Sequence, residues 1–227
     1  MAVRKVALFD LDSTLTDHAA AFRSWAEEFS AVTGIPVPWL LEAEVRHAGV
    51  RHAFFADIKA TFDISQSIAR MHADYRRRSA ELVPCRPEVC TAVQALAEDG
   101  WALGVVTNGA PDAQRLKLEV SGLAVHFTSV IISGEFGVRK PDKALFELAL
   151  DELAAGPQTW SAMVGDCLAT DIAGGQQAGL NTVWVSPSRR RRPRDPIPTH
   201  TVATVTDAAQ WLLSSARSDG RELVFAS

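Results

Sequence analysis

Four short stretches of this chain hold the residues most able to do chemistry. Asp10-Leu11-Asp12-Ser13-Thr14 follows one buried-looking apolar run, and Thr107-Asn108-Gly109 follows a second. Gly165-Asp166 follows a fourth such run, with Asp171 five residues further on, and Gly137-Val138-Arg139-Lys140-Pro141 places an ammonium just before a helix. In an open parallel sheet, ligands bind beyond the carboxyl ends of the strands, where the strand order switches. Brought to one such edge, these stretches assemble three or four carboxylates, a hydroxyl and an ammonium. Carboxylates crowded into one cleft repel each other unless a cation offsets the repulsion. With oxygen donors alone the fitting cation is Mg²⁺, which keeps positions for water and a substrate phosphate.

The elements that must position these residues are legible as an alternation. Apolar runs at 3–9, 102–106, 129–132, 160–164 and 182–185 read as buried parallel strands. Helical patterns separate them. Residues 87–99 are apolar at Val89, Val93, Leu96 and Ala97, with Pro87 suited to a first turn and Gly100 to an exit. Further helices are expected at 111–120, at 142–153, at 168–178 and, closing the chain, at 206–215. Such an order predicts an α/β fold with a doubly wound, mostly parallel sheet. The rhythm breaks once: residues 17–84 hold helical stretches at 19–32, 39–48, 53–60 and 65–81 and no strand alternation. They read as an all-helical insertion forming a second, smaller domain.

Composition narrows the function classes. The 23 basic and 27 acidic residues give a net charge of -4, which argues against a dedicated nucleic-acid binder but not against a small anionic substrate. Arg189, Arg190, Arg191, Arg192 and Arg194 form a basic run, read as a solvated loop rather than a nucleic-acid or membrane contact. No apolar stretch approaches the ~20 residues of a spanning helix, and the first residues lack the apolar length of a signal peptide. The three cysteines are an odd number without a CxxC pair, which fits a reducing, cytoplasmic setting. Cys85 and Cys90 read as two small buried side chains around a helix start, and Cys167 has no assigned role. The last ten or so residues are expected to be mobile.

Asp10-Leu11-Asp12-Ser13-Thr14-Leu15 resembles the first motif, DxDx[TS], of the haloacid dehalogenase (HAD) superfamily. The other three motifs follow in order: Thr107 at a strand end, Lys140 before Pro141, and Gly165-Asp166-Cys167-Leu168-Ala169-Thr170-Asp171 as GDxxxxD. The resemblance spans residues 4–186, and the helical insertion resembles the family's C1 cap. One motif alone is weak; four in order, each at its own element, are specific. The stretches around Val106–Gly109 and Gly165-Asp166 look most like the subgroup holding 5′-nucleotidases and N-acylneuraminate-9-phosphatase. The resemblance implies a HAD-like core at 1–16 and 85–227, a cap at 17–84, and a Mg²⁺-dependent phosphatase acting on a small phosphorylated metabolite.

It also implies roles. Asp10 is the nucleophile that forms an aspartyl-phosphate, and Asp12 protonates the leaving oxygen and then activates water. Thr107 and the N–H groups of Asn108 and Gly109 bind phosphoryl oxygens, while Lys140 neutralises charge there and restrains Asp10. Asp166, the Asp10 carboxylate and the Asp12 carbonyl hold Mg²⁺; Asp171 is an outer ligand or, preferably, an orienting group. Thr14 supports the turn. His18 and Trp25, where the chain leaves for the cap, are candidate substrate contacts, although a surface histidine and a core tryptophan are commoner fates. Arg46, Arg51 and Lys59 are further candidates for a substrate anion, each alone better read as a solvated charge. Trp39, Phe54 and Phe55 read as cap packing. A dehalogenase has no use for Asp12, a phosphomutase or phosphotransferase shares every catalytic residue, and a non-catalytic binding module does not need the full motif set.

Overall fold

The computed structural model describes residues 3–47, 50–186 and 191–222, with side chains over 5–47, 50–186 and 191–215. Residues 187–190, the last five residues and position 48 therefore lie outside the described part, and with them two of the five arginines of the basic run, the end of the tail and the end of the helix expected at 39–48. Arg191, Arg192 and Arg194 are exposed, and Asp195 accepts a hydrogen bond from the Arg192 N–H.

Alternation along the first strand decides the architecture. Val6 and Leu8 point to one face and Ala7 and Phe9 to the other, and all four are fully buried, so both faces must be covered. The strands are β1 (Val3–Phe9), β2 (Ala102–Thr107), β3 (Ser129–Ile132), β4 (Ala155–Gly165), β5 (Asn181–Val185) and β6 (His200–Val202). They form a six-stranded sheet in the order β3-β2-β1-β4-β5-β6, with every neighbouring pair parallel. The helices are α1 (His18–Thr33), α2 (Val37–His47), α3 (Arg51–Phe62), α4 (Ile68–Glu81), α5 (Pro87–Glu98), α6 (Pro111–Val120), α7 (Ser133–Phe136), α8 (Lys143–Glu152), α9 (Ala173–Gln177) and α10 (Val205–Glu222). Phe9, Val105 and Val164 pack with Val93 and Leu96 of α5 and Leu212 of α10. On the other face Leu8, Val106 and Met163 pack with Leu145, Phe146 and Ala149 of α8. The doubly wound α/β fold follows, with the order reversing between β1 and β4.

Where the sequence reading and the fold differ, local physics explains it. Expected strand 160–164 begins five residues earlier, because Ala155–Thr159 is largely exposed and carries Gly156 and Pro157, so no apolar run marks it. β6 is a three-residue edge strand, His200-Thr201-Val202, too short and polar to announce itself. The helix expected at 168–178 is divided into a π turn, Leu168–Ile172, and α9. Cys85 is exposed rather than buried, and Cys90 is half-buried.

The chain divides into two compact units, residues 1–16 with 85–227 and residues 17–84. The second contains α1 to α4. Asp17 caps α1 by accepting from the Ala20 N–H at 2.9 Å, and Gly34 ends it with φ 75°. Ser67 caps α4 in the same way. The unit's own core is aromatic: Trp25 meets Tyr75 edge-on at 4.8 Å, Phe54 meets Phe55 at 5.0 Å, and Ile35, Leu40 and Ile58 fill around them. Trp39 packs against Phe62 at 4.8 Å. Because Phe54 is fully buried in this cluster, Phe54→Ala is expected to destabilise the unit by about 3–5 kcal/mol, read from the midpoint of urea unfolding by circular dichroism.

Candidate active site

The site grows out of the carboxyl ends of β1, β2 and β4. The Asp10 N–H still donates to the Val164 carbonyl at 2.9 Å, so Asp10 is held in the sheet ladder while its side chain lies past the strand end. The chain then turns sharply, with Ser13 at φ 63°, a left-handed conformation uncommon for a residue with a Cβ. The Thr14 hydroxyl lies 3.4 Å from Asp10 Oδ2, so Thr14 touches the carboxylate as well as the turn.

Lys140 reaches the same point from the loop between α7 and α8. Its Nζ donates to Asp10 Oδ1 at 2.6 Å and lies 2.7 Å from Asp171 Oδ1. All three side chains are buried: Lys140 is 3% exposed, Asp10 7% and Asp171 1%. Carboxylate oxygens of Asp10, Asp166 and Asp171 fall within 4.8 Å of one another. Burial pushes the Asp10 carboxyl up to about 7 against the pull of Lys140, and the nearby Asp171 and Asp12 carboxylates add to the rise. Burial alone would lower the Lys140 pKa, yet Asp10 and Asp171 hold it above its ordinary value. One ammonium thus serves a group of carboxylates, and negative charge is left in excess. That surplus, offered by oxygen atoms only, suits a hard divalent cation.

The π turn explains how Asp171 reaches this cluster. Its carboxylate accepts from the Cys167 N–H at 2.9 Å, and the wider turn lets both the Asp171 and Ile172 N–H groups donate to the Cys167 carbonyl. Gly165 makes room, since a Cβ there would stand 2.4 Å from Asp171 Oδ2. Asp166 follows at the strand end, its carbonyl accepting from the Trp184 indole at 2.8 Å.

A second cluster surrounds Asp12. Both Asp12 oxygens accept from Lys117 Nζ at 2.8 Å, and Gln114 Nε2 donates to Asp12 Oδ2 at 3.2 Å and to the Thr107 hydroxyl at 2.6 Å. Gln114 and Lys117 were not singled out in the sequence. Their spacing on α6, beside the buried Ala113 and Leu118, was the signal available.

The remaining expectations divide. Asn108 was expected to offer its backbone N–H, and its side chain has a separate task. Its amide donates to the Lys140 carbonyl at 3.2 Å and accepts from the Lys140 N–H at 2.9 Å, which locks the lysine loop. The Gly109 N–H, expected to meet a phosphoryl oxygen, donates instead to Ser133 Oγ at 3.1 Å, because α7 begins there. Beside it lies a cleft of about 290 Å³ lined by Gly109, Ser133, Gly137, Val138 and Arg139. Trp25, a candidate substrate contact for which a core position was the commoner fate, is a core residue of the helical unit, 4% exposed and enclosed by Phe29, Tyr75 and Phe55, where its bulk is needed for packing. His18 lies within the same unit, its Nε2 3.1 Å from an Arg51 guanidinium nitrogen and 3.6 Å from Glu44. Arg51 itself pairs with Glu44 and covers the Tyr75 ring at 4.6 Å, so it is a packing group more than a solvated charge. Arg46 lies over Trp39, and Lys59 donates to the Ile64 and Gln66 carbonyls.

The family model for haloacid dehalogenase-like hydrolases matches residues 4–179. The chain belongs to that family. This hydrolase is 37% identical over 184 residues to a phosphoserine phosphatase of Thermus thermophilus, covering 78% of this chain and 72% of the relative. It is 35% identical over 149 residues to the pyrimidine 5′-nucleotidase YjjG of Escherichia coli, covering 63% and 66% of the two chains. In structure it is similar to the HAD-hydrolase YfnB of Bacillus subtilis, solved bound to magnesium, with a TM-score of 0.75, 25% identity and coverage of 92% and 98%. Among the described residues no helix is long and apolar enough to cross a membrane.

The close approach at Gly165 generates a test. Gly165→Ala is expected to drive Asp171 off Lys140 and to destabilise the hydrolase by about 1–3 kcal/mol, measured by urea unfolding.

Proposed function

We propose that this hydrolase is a Mg²⁺-dependent phosphatase that cleaves the phosphate monoester of a small metabolite through an aspartyl-phosphate on Asp10. The observation that carries the reading is the buried Asp10–Lys140–Asp171 arrangement with Asp166 beside it, a carboxylate poised at a strand end within a cation-seeking cluster. The relatives named as a phosphoserine phosphatase and a pyrimidine nucleotidase support the class of substrate.

In this reading the Asp10 carboxylate attacks phosphorus, and the bond to the leaving oxygen breaks as Asp12 gives that oxygen a proton. Asp12 then takes a proton from water as the water oxygen attacks the aspartyl-phosphate, releasing inorganic phosphate and restoring Asp10. Lys140 holds Asp10 in line and offsets charge on the phosphoryl group, and the Thr107 hydroxyl binds a phosphoryl oxygen. The carboxylates of Asp10, Asp166 and Asp171, with the Asp12 carbonyl, are the residues suited to hold Mg²⁺, whose charge reduces repulsion between a phosphate dianion and an incoming carboxylate. Asp171, already bound to Lys140 and the Cys167 N–H, serves chiefly to orient. Residues 17–84 are proposed as the unit that selects the leaving group.

Hydrolysis of p-nitrophenyl phosphate with Mg²⁺ and none after chelation is the expected result; inactivity at every metal concentration sinks the proposal. Mg²⁺ should also raise the unfolding temperature of the wild type and not of Asp166→Asn, which tests the metal site without an activity readout. Asp10→Asn should stay folded and lose turnover. Asp12→Asn should slow turnover by about 10²–10⁴-fold, and full activity in that variant overturns its acid–base role.

A further inference from the structure

Helix α6 carries two polar side chains that the reaction above does not use. Gln114 and Lys117 are three residues apart and so share a helix face, and that face is buried: Gln114 is 2% exposed and Lys117 7%. A lysine is seldom buried so deeply unless it is paired. Lys117 Nζ has three protons and three acceptors, Asp12 Oδ1, Asp12 Oδ2 and Gln114 Oε1, each at 2.8 Å. Gln114 spends its amide protons on Asp12 Oδ2 and on the Thr107 hydroxyl, at 3.2 and 2.6 Å. One network therefore joins the carboxylate after β1 to the hydroxyl at the end of β2.

The plainest alternative is an ion pair that only anchors α6 to the sheet. Two features argue for more. The burial is asymmetric: the Lys117 side chain is 9% exposed and that of Asp12 30%, so the anchor is more enclosed than the aspartate it holds. The helix also begins directly after the Thr107-Asn108-Gly109 loop, with Pro111 in its first turn. Gln114 is thus rigidly attached to the hydroxyl it contacts. A carboxylate on a sharp turn, free to rotate, would be a poor proton donor, since catalysis by proton transfer depends on placement within hydrogen-bond reach.

We infer that Lys117 and Gln114 are positioning residues for the reaction at phosphorus. They set the Asp12 carboxyl at a fixed offset from the Thr107 hydroxyl, so that the leaving oxygen meets Asp12 while a phosphoryl oxygen meets Thr107. The inference rests on the phosphatase reading above. The step it serves is the first one: Asp10 bonds to phosphorus, the electron pair of the breaking P–O bond stays on the leaving oxygen, and Asp12, entering the step as the carboxylic acid, gives that oxygen its proton and becomes the carboxylate that Lys117 pairs. Protonation matters most when the leaving oxygen is strongly basic and little when it is a nitrophenolate.

The test is a series of aryl phosphates, from phenyl to p-nitrophenyl to 2,4-dinitrophenyl phosphate, hydrolysed with Mg²⁺ by the wild type, Lys117→Met, Lys117→Arg and Gln114→Leu. The readout is kcat/KM, which reports the steps through departure of the leaving group. Lys117→Met is expected to lose about 10²-fold on phenyl phosphate and less than about 10-fold on the dinitrophenyl ester. Gln114→Leu should show the same tilt to a smaller degree, and Lys117→Arg should restore part of the loss on phenyl phosphate. Equal losses along the series, or no loss, overturn the inference, because a residue that only holds the fold has no reason to sense leaving-group basicity. If circular dichroism finds Lys117→Met unfolded, Gln114→Leu, which keeps the ion pair, decides by the same criterion. A wild type inactive on every ester removes the phosphatase reading itself, a result separate from active enzymes with parallel losses.

Discussion

The contact on which the rest of this structure depends is the Lys140 ammonium lodged between Asp10 and Asp171. A buried ion pair of this kind is a poor source of stability, because the cost of desolvating the charges consumes most of the attraction between them. Its value is geometric. Lys140 draws an aspartate from the end of β1 and another from the turn after β4 to one point, and its loop is in turn fastened by Asn108 at the end of β2. Removing any partner leaves charge buried without compensation, while the ladders that pair β1 with β2 and β4 keep the strand ends in register around it. Excess negative charge remains, and together with burial it raises the Asp10 carboxyl, which makes Asp10 the acid that ionises with most difficulty.

The scaffold is arranged to make that concentration of charge tolerable. The sheet is apolar on both faces and rigid, so the polar groups gather where the strand order reverses and the ladder ends. Small residues admit close approaches: Gly165 beneath Asp171, and Gly174 against Phe146, where a Cβ would stand 2.5 Å from the ring. The Asp12 carboxylate receives a separate cation, Lys117, so the two aspartates of the first motif are not competing for one ammonium. Two acids two residues apart therefore sit in different electrostatic surroundings, a condition that lets neighbouring carboxyls take different roles. A cavity of about 420 Å³ at the amino ends of β4 and β5, between Glu147 and Asn181, contains none of these residues.

The helical unit has a core of its own and a different economy. Its aromatic cluster of Phe22, Trp25, Phe54, Phe55 and Tyr75 is close-packed, and Arg51 lies against three of those rings while paired with Glu44. Residues that looked like possible ligand contacts are thereby committed to packing, Trp25 most clearly.

Much of the α/β order was legible because buried parallel strands are continuous apolar runs and a helix-forming pattern separates each pair. The elements that escaped were those without such marks: the exposed first half of β4, the short polar β6 and the π turn. The four motif stretches were legible because residue type and position at a strand end suffice to suggest their chemistry. Gln114 and Lys117 were not, since a glutamine and a lysine on a short helix look the same in sequence whether they face water or a carboxylate. The same limit concealed the engagement of the Gly109 N–H with Ser133. By itself, then, the sequence determined which side chains could react and the strand ends that carry them, because local pattern encodes secondary structure and charge. Only tertiary structure decided that Lys140 also takes Asp171 and that Asp12 has a cation of its own, Lys117, because the Lys117 pairing is set by a contact between residues more than a hundred positions apart.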